Sequence, residues 1–251
     1  MDVFGQTRSR LSNDYALITP DTHVSSPLVG WENTSAVIHI SPEMSARFTQ
    51  YTAVMQSGGR SAMPGENIQR FFYVQDGSCS LSLGESDPEQ LKQGSYAFVP
   101  ASMEHEIRCK KTARLVVFEK EYQPYENCEL PSSIVGHESD VAGEPFMGDD
   151  DARLKTLLPV EAEFDMAVNI FTYQPGATLP QVEIHVMEHG LLMLAGQGVY
   201  RLSNDYFPVA AGDVIWMSSY CPQWFVAMGK TPASYLYYKD IHRDRLHEKL
   251  L

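Results

Sequence analysis

Residues 183–190, Glu-Ile-His-Val-Met-Glu-His-Gly, place His185, His189 and Glu183 within seven positions. Imidazole nitrogens and carboxylate oxygens are the side-chain donors that bind divalent metals. The spacing admits two geometries. On a helix, His185 and His189 share a face because they are four apart. On a strand, Glu183 and His185 point the same way because they are two apart, and His189 keeps their parity.

The elements that would carry these side chains decide between the two. The chain of 251 residues contains one pattern twice. Gly58 matches Gly176, Gly77 matches Gly196, Gly94 matches Gly212 and Lys120 matches Lys239, at an offset of 118 or 119 throughout. Each copy consists of short segments rich in Val, Ile, Tyr, Phe and Trp, punctuated by Gly, Pro, Asn and Asp, which is the pattern of an all-β sandwich or barrel such as a jelly roll. The expected organisation is a barrel over 1–130, a linker over 131–158 rich in Gly, Ser, Pro and acid, and a second barrel over 159–251. The stretches "QDGSCS" and "LAGQGVY" read as tight hairpins, "DPEQLKQ" as a helical turn, and "KDIHRDRLHEKLL" as a short C-terminal helix. In the β setting, Glu183, His185 and His189 face one interior. Gln223, 11 residues after Gly212 on a neighbouring segment, is the candidate fourth donor.

Composition narrows the function classes. A formal net charge of −13 opposes nucleic acid, whose binders need a basic face, and an anionic membrane surface. No apolar run is long enough to span a bilayer, and the first residues lack a signal-peptide pattern. A soluble, cytoplasmic protein is expected. Cys79, Cys109, Cys128 and Cys221 are widely spaced, which fits reduced thiols better than a disulfide framework.

Residues 176–196 read G-x6-E-x-H-x3-H-x6-G. This resembles the first metal motif of the cupins, with the positions of carboxylate and imidazole exchanged, and Gln223 stands where the second cupin motif carries its histidine. In the first copy Gly94, Pro100 and His105 fit the second motif, whereas no histidine lies between Gly58 and Gly77. The resemblance therefore implies a bicupin of two tandem jelly-roll barrels, the first metal-free and the second occupied. Arg70, where the first barrel's ligand would stand, is expected to pair with Glu66. The exchanged ligand set, followed by "SYLYYKDIHRD", is similar over almost the full length to the (S)-ureidoglycine aminohydrolase family. That resemblance implies Mn²⁺ as cofactor, Glu183, His185, His189 and Gln223 as ligands, and Tyr200, Tyr235 and Lys239 beside the substrate. It further implies hydrolytic release of ammonia from a small molecule, ureidoglycine, and assembly into a homo-oligomer.

The donor chemistry agrees with the resemblance. Two imidazoles, a carboxylate and an amide oxygen without a thiolate suit octahedral Mn²⁺ or Fe²⁺ and leave two positions for a chelating amino acid. Lys239 is placed to hold a substrate carboxylate or carry a proton. Tyr235, four residues earlier, shares its face of a strand, and Tyr200 is placed to donate to a ureido carbonyl. Three other readings compete. One is the H-x-x-E-H motif of inverted zinc proteases, which needs a helix through His185 and His189 that Pro180 and Gly190 oppose. The others are a different metal-dependent bicupin reaction and a non-catalytic small-molecule-binding bicupin.

Overall fold

Apolar runs broken about every ten residues by turn formers fold here as antiparallel strands. The computed structural model describes residues 6–125 and 128–244. Its secondary structure is nearly all β. Among the described residues the helical elements are the single 3-10 turns Pro20–Thr22, Pro42–Met44 and Glu138–Asp140. None of the described helices is long and apolar enough to cross a membrane.

The chain divides into two units. One contains the described parts of Met1–His23, Ala142–Pro159 and Met166–Leu251; the other contains those of Val24–Val141 and Val160–Asp165. In the first, the larger sheet runs Arg10–Leu11, Tyr15–Ile18, Val214–Met217, His189–Ala195, Ala233–Asp240, Met166–Tyr173, Asp149–Thr156, Glu144–Phe146. A smaller sheet runs Asp205–Ala210, Gln197–Leu202, Gln223–Met228. Inward residues of both sheets form one core: Leu17, Leu191, Met193, Ile215 and Met217 from the larger, Tyr200, Leu202 and Phe225 from the smaller. Each such buried side chain contributes about 1.5–3 kcal/mol relative to exposure.

In the second unit the strands pair in the order Ile134–His137, Ser95–Val99, Ile68–Leu83, Ala113–Glu121, Thr49–Arg60, Glu32–Ile40, Ser26–Pro27. Glu89–Lys92 and His105–Cys109 pair with the far end of Ile68–Leu83. Arg70 lies directly opposite Glu119 in the pairing of Ile68–Leu83 with Ala113–Glu121. Its guanidinium contacts the Glu119 carboxylate at 2.7 Å, the Ala62 carbonyl at 3.0 Å and His105 Nε2 at 2.8 Å, and lies 5.2 Å from the Trp31 ring centroid. The partner is therefore Glu119 rather than the expected Glu66, which is exposed. Cross-strand register brings Glu119 opposite Arg70, while Glu66, only four residues away in sequence, lies on a loop. Lys120 makes a buried ion pair with Asp165, which also accepts from Gln69.

Several expectations are corrected by the pairing. "LAGQGVY" is a corner rather than a hairpin, since His189–Ala195 and Gln197–Leu202 belong to different sheets. Gly196 sits at φ +71°, and a Cβ there would stand 2.5 Å from the Pro232 carbonyl oxygen. Positive φ and close backbone approach both require glycine. Gly77, at φ +76°, makes the equivalent bend within Ile68–Leu83, so "QDGSCS" is no hairpin either. "DPEQLKQ" contains the strand Glu89–Lys92 rather than a helical turn, because its backbone pairs with Ser78–Leu81. The expected linker holds the strands Ile134–His137, Glu144–Phe146 and Asp149–Thr156; the first two are edge strands, which tolerate Gly, Pro and acidic residues, and the third pairs on both sides. Tyr15–Ile18, expected in the first barrel, pairs with Val214–Met217 in the unit that contains His189. Arg8 anchors that segment through a two-pronged ion pair to buried Asp213, at 2.6 and 2.9 Å. The expected C-terminal helix falls largely on residues 245–251, outside the described residues; Ile241–Asp244 is not helical.

Candidate metal centre

Residues 183–188 form no helix and no continuous strand. Glu183 makes a single antiparallel bridge with Gln223, with Glu183 N–H donating to the Gln223 carbonyl at 2.8 Å and Gln223 N–H to the Glu183 carbonyl at 3.0 Å. Residues paired in this way project to the same side of a sheet. Farther along, the His185 carbonyl accepts from Tyr220 N–H at 2.7 Å. His189 opens the next strand, with Met217 opposite it on one side and Lys239 on the other. The absence of a helix removes the inverted zinc-protease geometry.

The four expected donors converge. His185 Nε2 lies 3.1 Å from His189 Nε2, 2.9 Å from Gln223 Nε2 and 4.0 Å from Glu183 Oε2. Donors about 2.1 Å from one ion and at right angles around it lie about 3 Å apart. Among the described residues no three His, Cys, Asp or Glu side chains are gathered closely enough to hold an ion by themselves. Of the four, Glu183 is the most distant from His185, and Gln223 brings an amide beside the imidazoles.

The imidazoles fit a cation on their own chemistry. His185 Nδ1 lies 3.1 Å from the Met187 carbonyl, which can only accept, so this nitrogen carries the proton of the neutral ring. His185 Nε2 is thereby left as a lone pair, and it faces His189 Nε2 at 3.1 Å. A cation between the two rings would let both nitrogens serve as donors. Burial is the largest influence lowering the pKa of both imidazoles, and the nearby Lys239 ammonium lowers both further. Both are neutral and ready to ligate near neutral pH. The amide of Gln223 presents Nε2 to His185, while its Oε1 accepts from Tyr200 Oη at 3.2 Å. Ligation through oxygen requires the amide turned by half a rotation, after which its nitrogen donates to Tyr200.

A cavity of about 160 Å³ opens over these groups. Tyr200, Tyr235, Tyr237 and Lys239 line it together with apolar Phe171, Leu179 and Met217. Burial lowers the Lys239 pKa, the Glu183 charge opposing that shift, while burial raises the Glu183 pKa. Burial also raises the Tyr200 and Tyr235 phenols, keeping both as hydrogen-bond donors. All seven residues singled out from the sequence thus border one cavity. Sequence reasoning missed Tyr173, whose hydroxyl lies 3.1 Å from that of Tyr235, and Glu188, bound to Trp216. Alternation in "NIFTY" hints at an inward Tyr173, but nothing local reveals its partner.

Comparison with known proteins identifies relatives sharing nearly the whole chain. No family model matches. The probable (S)-ureidoglycine aminohydrolase of Oryza sativa subsp. japonica is 42% identical over 250 residues, covering 98% of this chain and 79% of that protein. The (S)-ureidoglycine aminohydrolase of Escherichia coli K12 is 35% identical over 236 residues, covering 92% and 90%. Among solved structures, E. coli protein Ylba superposes with a TM-score of 0.83 at 31% identity, covering 95% of this chain and 96% of that one. Bacillus subtilis oxalate decarboxylase, at 12% identity and a TM-score of 0.68 over 91% and 77% of the two chains, shares the fold alone. Identity of this extent, spanning both units and the cavity, shows that the chain belongs to the (S)-ureidoglycine aminohydrolase family.

Proposed function

We propose that the chain hydrolyses (S)-ureidoglycine, releasing ammonia and forming ureidoglycolate, with a divalent ion, manganese in this reading, held by Glu183, His185, His189 and Gln223. The observation that carries the metal reading is the approach of His185 Nε2 and His189 Nε2 to 3.1 Å, with Gln223 beside them and Lys239 directly across from His189. Family membership supports the reaction. The all-β architecture supports two tandem jelly-roll barrels, with chemistry confined to the unit containing His189. Free cysteines support a cytoplasmic setting. Homo-oligomeric assembly belongs to the same reading.

In the reaction, the bond from the α-carbon to its amino nitrogen breaks, water supplies the oxygen of the new C–OH bond, and the nitrogen leaves as ammonia. A bound divalent cation supplies a chelation point for the amino acid and Lewis-acid polarisation. The apolar wall of Phe171, Leu179 and Met217 restricts water around the reacting carbon. Lys239 offers a charged donor for the substrate carboxylate, or a proton to the departing nitrogen, because burial brings its pKa down. Tyr200 and Tyr235 offer hydroxyl donors to the ureido group.

The test is ammonia release from freshly generated ureidoglycine by metal-depleted protein, before and after addition of Mn²⁺. Mn²⁺-dependent release supports the proposal; a protein with no release under either condition overturns it. Metal analysis of Glu183→Ala then tests the ligand set.

A further inference from the structure

Glu188 lies between the two imidazole-bearing positions, yet its side chain is 1% exposed and takes no part in the cavity. Trp216, itself 2% exposed, donates its indole N–H to Glu188 Oε1 at 2.7 Å. The backbone N–H of Glu188 donates to Asp240 Oδ1 at 2.5 Å. Asp240 adjoins Lys239, and Trp216 adjoins Met217, the residue opposite His189. One residue is therefore fastened to both strands that flank the start of His189–Ala195. The loop it holds lacks strand pairing between the Glu183 bridge and His189.

The other unit repeats the arrangement with different chemistry. Gln69 precedes Arg70 as Glu188 precedes His189, and Lys120 follows Glu119 as Asp240 follows Lys239. There, Gln69 and Lys120 are both tied to Asp165. In each unit, a buried polar fastening lies beside the central residue.

Resting on the metal reading above, we infer that Glu188 is a positioning residue: the bond of its carboxylate to Trp216, added to a backbone bond to Asp240 that every variant keeps, holds the 183–189 loop so that Glu183, His185 and His189 meet at one point. A carboxylate serves here because it accepts strongly from the indole in a site closed to water. Groups that orient ligands from behind commonly change metal affinity by about 10–100-fold when removed.

The test uses the full chain, stripped of metal by chelation, as the parent and as Glu188→Ala, Glu188→Gln and Trp216→Phe. Amide hydrogen exchange across 183–189 is followed by mass spectrometry, and Mn²⁺ affinity is measured by electron paramagnetic resonance titration. Glu188→Ala is expected to speed exchange of this segment by roughly tenfold or more and to weaken Mn²⁺ binding by about 10–100-fold. Glu188→Gln, which keeps an oxygen acceptor for the indole, is expected to recover most of both. A folded Glu188→Ala protein with parental exchange and parental Mn²⁺ affinity overturns the inference. If that variant does not fold, Trp216→Phe decides: parental values in both measurements overturn it, faster exchange and weaker binding support it. A parent that binds no Mn²⁺ overturns the metal reading instead, and the exchange measurements still decide the role of Glu188.

Discussion

Lys239 lies directly opposite His189 in the antiparallel pairing of their strands, the position that Glu119 holds opposite Arg70 in the other unit. The same pairing thus carries an imidazole beside an ammonium in one unit and a guanidinium–carboxylate ion pair in the other. In the second case the guanidinium also donates to His105 Nε2 at 2.8 Å. By this pairing Lys239 corresponds to Glu119, one residue away from its match with Lys120 in the sequence pattern.

Replacing Lys239 with Met should leave metal content unchanged and lower kcat by roughly 10²–10⁴-fold, the usual contribution of a positioned proton carrier. Steady-state ammonia release paired with elemental analysis checks this. Unchanged kcat would remove Lys239 from the mechanism.

Removing metal with a chelator should abolish ammonia release, and Mn²⁺ should restore it. Gln223→Ala should weaken Mn²⁺ binding by about tenfold or more, since it removes a donor whose amide the neighbouring Tyr200 orients. Tyr200→Phe should weaken binding less, because only the orientation of that amide is lost. Titration of the three proteins with Mn²⁺ checks the order.

Arg70→Met should destabilise the protein by about 3 kcal/mol by leaving Glu119 and His105 without their shared partner. Mn²⁺ binding per folded molecule should not change, since the proposed ligands belong to the other unit. Urea unfolding and a Mn²⁺ titration measure the two effects separately.

Burial, with the Arg70 guanidinium adding to it, lowers the His105 pKa to about 4. An unfolded histidine titrates near pH ~6.5. Between about pH 6.5 and 4 the unfolded chain binds more protons at this site, so its contribution to stability is present above 6.5 and declines as pH falls through that window. His105→Gln should flatten this part of the stability profile, as measured by urea unfolding at a series of pH values. A profile as steep as the parent's would show that His105 is not responsible.

Gly196→Ala should cost at least about 2 kcal/mol, from positive φ and a Cβ driven against the Pro232 carbonyl. Thermal unfolding checks the loss. A parental midpoint would mean that the corner can be made without glycine.

Short-range spacing made much of the protein legible. The offset of 118–119 residues reveals the duplication, and the two-residue and four-residue separations of Glu183, His185 and His189 are enough to nominate donors. Such features survive in a linear string because strand parity and turn chemistry are set by a residue and its near neighbours. Gln223, 40 residues from Glu183, is nominated from its place 11 residues after Gly212 and again by the resemblance, and the bridge between the two residues supplies the physical contact.

What the tertiary structure alone decided is which distant groups meet. Glu119 rather than Glu66 faces Arg70, Tyr15–Ile18 completes the sheet that carries His189, and Trp216 and Asp240 fasten Glu188. Each depends on the register of strands far apart in sequence. A shift of one residue would turn every side chain of a strand to the opposite face, and the composition of the strand would remain the same.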